Sequence, residues 1–402
     1  MTTAQVPCIT ETEFSNRASR MKQFARSQDL GALVVYSTSR SHIWYQTGHV
    51  SYISGWADRD RIFDTMIVVP VEGDPVMLMS GLPYIAERGR AVSWMNDFRI
   101  VVAPDPRAAA IPGETKTYGT EVGQILKERG LDGKKVGLLG AETISQPLHQ
   151  CLFEALPGDV VVPDDVVADL RSCKSDTELA LMTESARLSD LGFQTLVDTA
   201  KPGTMGYELV AEMERALRRE QADFAQFWLA TGPTGEPSMP QPDLRPHRRQ
   251  LAPGDQVTCC SYVIFEGYWG HAMRTGTVGP ASDEQKKMFE PCLDVQRTTI
   301  DAIKPGVPIS QVVKQCQATI EAAGMTLYSQ RIGHGIGLDY GEKPYISDTN
   351  DEPFEPGMVV EVHPQLGIPG TDGFFVPLGD MCHVTDTGVE LLTQFPRELF
   401  TV

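Results

Sequence analysis

The chain has 402 residues, 41% of them hydrophobic and 22% charged, which is enough apolar content and length for two or three domains, or one large and one small. Its formal net charge is −18. That argues against nucleic acid as the main partner, because phosphate contacts need clustered Lys and Arg, and the one basic cluster, Arg245-Pro246-His247-Arg248-Arg249, is too short for a footprint. No apolar run reaches membrane-spanning length, and the N-terminus lacks the basic-then-apolar pattern of a secretory leader. None of the eight cysteines stands in CxxC spacing. A cytoplasmic protein with free thiols and no membrane contact is expected.

Residues 11–30 read as a helix, with Phe14, Met21, Phe24 and Ala25 near helical spacing. Ala32–Tyr36 is a short apolar run expected as a buried strand. Thr65–Pro70 and Pro75–Met79 are two further strands, joined by Glu72-Gly73-Asp74, which suits a hairpin turn. Lys135–Leu139 and Val160–Pro163 add strand candidates, so the first part of the chain reads as mixed α/β. Near residue 165 the pattern changes. Residues 175–200 form a long amphipathic stretch opened by the capping-box pair Ser175 and Glu178 and closed by Lys201-Pro202-Gly203. Helices are also expected over 207–221, over 283–303 with a stop at Lys304-Pro305-Gly306, and over 309–324. The two Pro-Gly-stopped helices, each followed by another helix, read as an internal duplication. Strands are expected over 256–265, 273–278, 358–363 and 380–385, and the proline-rich stretch 231–254 as a loop.

Three histidines stand in or beside apolar, strand-like runs: His271 in Tyr268-Trp269-Gly270-His271, His334 in Gly333-His334-Gly335-Ile336-Gly337-Leu338, and His363 in Val360-Glu361-Val362-His363-Pro364. The expectation is that all three meet in one cleft. Glu361 lies two residues before His363, so on a strand both point to the same face, which makes it a candidate general base or partner of the histidine.

Most of residues 166–402 resembles the creatinase/aminopeptidase P/prolidase/methionine aminopeptidase family, the pita-bread fold. The likeness rests on Leu170–Ser175 at the entry to the first helix, Lys304-Pro305-Gly306-Val307 at a helix stop, Gly333–Leu338 at the central histidine, and Glu355-Pro356-Gly357-Met358-Val359 before a ligand-bearing strand. The N-terminal half is similar to the smaller domain of creatinase, prolidase and aminopeptidase P, with Ile43–Gly48 as its best marker. The resemblance implies an α+β protein: a smaller α/β domain over 1–165, a C-terminal pita-bread catalytic domain over 166–402, and homodimers in which one N-terminal domain helps close the partner's cleft.

The metal-dependent members carry Asp, Asp, His, Glu and Glu as ligands. Carried over one at a time, these positions fall on Cys260, His271, His334, His363 and Gly379, with Asp380 beside the last. A bridged pair of divalent ions needs about four carboxylates to offset its charge, so a standard dinuclear aminopeptidase is not expected. The preferred reading is a hydrolase cleaving a C–N bond of a small polar amide, amidine or cyclic amide. His271, His334 and His363, with Cys260 as a fourth donor, would hold one divalent transition metal (Zn, Fe or Cu); otherwise no cofactor is expected and the histidines handle protons directly. Oxidative chemistry on the same three histidines stays open, as does a non-catalytic binding protein. Candidate substrate contacts are Tyr268, Trp269, Lys343 and, from the N-terminal loop, Arg61.

Overall fold

The computed structural model describes residues 6–37, 48–56, 64–104, 113–156, 159–234, 248–327, 329–367 and 378–402. It divides into two units: Cys8–Arg171 with Leu338–Tyr340, and Ser172–Gly337 with Gly341–Val402. The sequence reading sets the division at 165/166. Among the described residues no helix is long and apolar enough to cross a membrane.

The first unit opens with α1 (Glu11–Ser27), where the Thr10 hydroxyl caps the helix by accepting from the Glu13 N–H. Its inward stripe is Phe14, Ala18, Met21 and Ala25, spaced as one helix face requires. There follow β1 (Ala32–Ser37), α2 (His49–Ser54), β2 (Thr65–Pro70), β3 (Val76–Ser80), α3 (Pro83–Val92), β4 (Asp97–Val101), α4 (Tyr118–Glu128), β5 (Val136–Leu139), α5 (Gln146–Ala155), β6 (Val160–Val161) and α6 (Val166–Ser172). The sheet runs β4-β3-β2-β1-β5-β6. β2 pairs antiparallel with both β1 and β3, as the hairpin signal predicts, while β4, β5 and β6 join in parallel. Every residue of β1, β2 and β3 is buried, which explains why they read as continuous apolar runs rather than alternating ones. In the same unit Arg171 donates to His49 Nδ1 at 2.8 Å and pairs with Asp339 at 2.7 Å, and His49 Nε2 meets Asp165 at 2.6 Å. Arginine can only donate, so His49 accepts at Nδ1 and donates from Nε2; its ring is committed to structure.

The second unit is built twice on one plan, helix pair then antiparallel sheet. α7 (Asp176–Thr199) starts at the Ser175–Glu178 capping box, both halves of which are formed, and α8 (Gly206–Arg219) follows. Then come β7 (Phe224–Gly232), β8 (Gln256–Phe265) and β9 (Tyr268–Thr277). β9 begins well before the expected Met273 because Glu266 and Gly267, both at positive φ, close a two-residue hairpin directly after β8. The second copy is α9 (Asp283–Ala302), α10 (Ile309–Ala322), β10 (Thr326–Leu327), β11 (Arg331–Gly335), β12 (Glu342–Ser347), β13 (Val359–Val362), β14 (Leu366–Gly367), β15 (Asp380–Val384) and β16 (Val389–Leu391), with β17 (Phe400–Thr401) last. The sheets are ordered β17-β9-β8-β7 and β12-β11-β13-β15-β16. A bridge between Met273 and Gly379 links β9 to the start of β15 and so brings the two sheets together.

That junction is held by a buried ion pair. Arg274 and Asp380, neither exposed, meet at 2.7 Å; Arg274 also donates to the carbonyls of Met273, Gly379 and Phe395, while Asp380 accepts from Gln296 and Thr393. Each lone pair and N–H that desolvation would leave orphaned is thereby matched. Close packing behind β9 has its own requirement: a Cβ at Gly270 would collide with the Ser185 carbonyl of α7. Removing one partner of the ion pair should leave a charge stranded, so Arg274→Ala is expected to lower unfolding stability by about 3–5 kcal/mol. Urea denaturation checks this, and a loss below about 1 kcal/mol would contradict the assignment.

Candidate active site

Four strands of the second unit supply the site. His271 lies on β9, where its cross-strand partner is Tyr262 of β8; the two rings sit 4.7 Å apart. Cys260 pairs with Met273 in the same ladder, so Cys260, Tyr262, His271 and Met273 share one face. His334 lies on β11 opposite Glu361 of β13, and His363 directly follows β13. The histidine rings converge: His334 and His363 at 5.1 Å, His271 and His363 at 6.0 Å, each pair edge-on.

The glycines around His334 are there for close approach. A Cβ at Gly333 would collide with the Glu361 carbonyl, and one at Gly335 with the Lys343 carbonyl. The β11–β12 register also shifts between His334 and Gly335, a bulge that re-aims the histidine. Gly341, seven residues after His334, would place a Cβ 3.8 Å from His334 Nδ1.

Two of the imidazoles have assigned tautomers. His271 Nδ1 lies 2.5 Å from the Ser261 carbonyl and His334 Nδ1 2.9 Å from the Gly335 carbonyl. A carbonyl only accepts, so each Nδ1 carries the hydrogen and each Nε2 keeps its lone pair. Burial pushes His271 down to about 3 and His334 down to about 4, and pushes His363 well below the usual imidazole range, helped by the other two rings. Burial also raises the Glu361 carboxyl well above the usual range, with Asp380 adding to the effect and Arg274 opposing it. The Cys260 thiol goes up for the same reason. The three imidazoles are therefore neutral near pH 7, and burial disfavours the charged forms of Glu361 and Cys260. Among the described residues neither oxygen of Glu361 and neither nitrogen of His363 has a hydrogen-bond partner, although both side chains are buried. Buried polar atoms are usually hydrogen-bonded, so these two side chains are exceptions that strain, chemistry or a bound water or ion would explain.

The remaining candidates divide. Trp269 is buried on the His271 side of the β9 alternation, its ring edge-on to Phe224 at 5.9 Å. Tyr268 is on the opposite face, where its hydroxyl donates to Glu178 of α7 at 3.0 Å, so strand alternation turns it away from His271. Lys343 is half-buried on β12. Arg61 and His247 lie outside the described residues. His383 stands on β15 near Glu390, 3.9 Å away, apart from the three histidines. Sequence reasoning did not find Tyr262 or Met273, whose only signal was their place in the β8–β9 pairing.

The donor set does not fit a dinuclear divalent centre: one carboxyl, its charged form disfavoured by burial, stands with three imidazoles and a thiol where two ions would need several carboxylates. Among the described residues no three His, Cys, Asp or Glu side chains are arranged, as they stand, to hold one ion.

Comparison with known proteins places these residues in a family context. The profile of metallopeptidase family M24 matches residues 180–386. Over 280 residues the chain is 31% identical to the putative dipeptidase YkvY of Bacillus subtilis (strain 168), covering 69% of this chain and 75% of that one. It is 30% identical over 242 residues to the uncharacterized peptidase YqhT of the same organism, covering 60% and 67%. Among solved structures, the Xaa-Pro dipeptidase from Bacillus anthracis superposes with a TM-score of 0.78 at 21% identity, over 97% of this chain and 100% of that one. The X-Pro aminopeptidase from Thermotoga maritima MSB8 does so at 0.77 and 21%, over 96% and 99%. At that identity these likenesses show the fold: an N-terminal α/β domain followed by a C-terminal pita-bread domain.

The raised Glu361 carboxyl makes a stability prediction. Its ordinary value is 4.5 and its folded value is higher, so its neutral form stabilises the fold fully below about 4.5, and that contribution is lost as pH rises through the folded value. Glu361→Gln cannot titrate. In chelator-treated protein its Tm should exceed that of the wild type by a margin that widens from pH 5 to pH 8. A margin independent of pH would contradict the raised value.

Proposed function

The chain belongs to metallopeptidase family M24, and we propose that it hydrolyses a C–N bond (amide, amidine or cyclic amide) in a small polar molecule, using Glu361 and the imidazoles of His271, His334 and His363 to move protons. The observation that carries this reading is the buried, unpartnered Glu361 carboxyl on the same strand face as His363, whose two nitrogens are also unpartnered among the described residues.

The chemistry balances without an external charge. An imidazole whose Nδ1–H is held by a backbone carbonyl presents a lone pair at Nε2, so His271 or His334 takes a proton from water as the oxygen attacks the carbon of the C–N bond. The carboxylic acid of Glu361 gives its proton to the departing nitrogen, and the imidazolium then returns a proton to the Glu361 carboxylate. A carboxyl raised by burial suits the acid role at neutral pH. Trp269 is positioned as a wall on the His271 side. The relatives' names bring short peptides into the substrate panel beside amides, amidines and cyclic amides. A homodimer is part of the same proposal.

A second reading is a single divalent ion, Zn, Fe or Cu, on the three histidines with Cys260. The observation favouring it is that the Ser261 and Gly335 carbonyls fix the tautomers a ligand needs, leaving Nε2 free of hydrogen. Such an ion would supply an activated water or, for Fe and Cu, oxygen chemistry. Elemental analysis of tag-free wild type and His334→Ala separates the readings: about one equivalent, lost in the variant, supports the ion.

The proposal is tested by release of amine or ammonia from the panel by wild type and Glu361→Gln. Turnover of at least one compound is expected, with kcat reduced by about 10²–10⁴ in the variant. A folded Glu361→Gln protein that keeps wild-type kcat would remove Glu361 from the chemistry, and no turnover across the panel would leave a binding protein.

A further inference from the structure

We infer that Gly379 is a positioning residue that decides which strand delivers the carboxyl to this site: a side chain at 379 and the Glu361 carboxyl compete for the same space. The inference rests on the reading that Glu361 works in the site, and deepens it.

A Cβ built on Gly379 would lie 2.6 Å from Glu361 Oε1, 3.2 Å from Met273 Cγ and 3.3 Å from His363 Cβ. The nearest obstacle is thus the carboxyl itself, not the backbone. Gly379 is not among the residues with positive φ, so its backbone conformation does not call for glycine. Space does. Strand pairing explains the conflict. Glu361 sits opposite Met381 on β15, and Gly379 is two residues before Met381, so side chains at 361 and 379 are diagonal neighbours on one face. The Met273–Gly379 bridge closes the other side. With no side chain at 379, the carboxyl of β13 folds over that Cα, and there it stays buried with neither oxygen bonded among the described residues. The dinuclear family pattern puts a glutamate at 379. This chain keeps one carboxyl in the same volume but supplies it from the neighbouring strand, alongside His363.

The exclusion predicts strong coupling between the two positions, to be measured in the full-length protein with Glu361→Val, Gly379→Glu and the double variant. Gly379→Glu should lower Tm about twice as much when Glu361 is present as it does in the Glu361→Val background, because only the first combination crowds two buried carboxyls together. Equal drops in the two backgrounds would overturn the exclusion. If Gly379→Glu does not fold, Gly379→Ala in both backgrounds repeats the comparison with a smaller intrusion. On any panel compound that wild type hydrolyses, Glu361→Val should lose turnover, and the double variant should regain at least about 10-fold over it. A folded double variant with no regain would overturn the claim that position 379 can deliver the carboxyl. The unfolding comparison needs no substrate, so failure of the exclusion and failure of the hydrolase reading give different results.

Discussion

A carboxyl and three imidazoles buried together without compensating charge form the constraint on which the second unit depends. Desolvation costs several kcal/mol per ion, so none of the four stays charged without a partner. The formal charges that couple to Glu361, Arg274 and Asp380, are already matched to one another and to carbonyls, Gln296 and Thr393. The fold therefore separates two kinds of polarity at the β9–β15 junction. A well-matched ion pair fixes the backbone around Gly379, and a few residues away stand Glu361 and His363, buried with no hydrogen-bond partner among the described residues. The first supplies rigidity, and the second is where the proposed chemistry is placed.

That division separates this chain from the dinuclear pattern of its family. Two metal ions gather charge and need carboxylates to balance it. By the resemblance, the family's carboxylate positions fall on Cys260, His271, His363 and Gly379, and burial disfavours the charged form of the Glu361 carboxyl beside them. The fold is retained because its sheets and helix pairs do not depend on those side chains. Capping at Ser175, the hairpin at Glu266-Gly267 and the glycine contacts of β11 are set by backbone geometry and packing.

Much of this was legible in the sequence, for physical reasons that can be named. Continuous apolar runs gave β1 to β3 because both faces of that sheet are covered, and the capping box and Pro-Gly stops bounded α7 and α9. The meeting of His271, His334 and His363 followed from the resemblance and is seen in the ring separations. What could not be read was set by pairing register. Tyr268 looked like a cleft residue but points to α7, because one step along a strand reverses the face. Tyr262 and Met273 join the site only through the β8–β9 ladder. The role of Gly379 needed three dimensions, since sequence marks the loss of a side chain there but not the carboxyl that fills its place.

The most direct test of a site built from neutral, proton-exchanging groups is histidine-selective ¹⁵N NMR on chelator-treated protein between pH 5 and 8. Assignment comes from single substitutions of His271, His334 and His363. All three rings should stay neutral across the range, with His271 and His334 carrying hydrogen on Nδ1 and a bare lone pair on Nε2. An imidazolium at either position above pH 6, or Nε2–H tautomers at both, would contradict it.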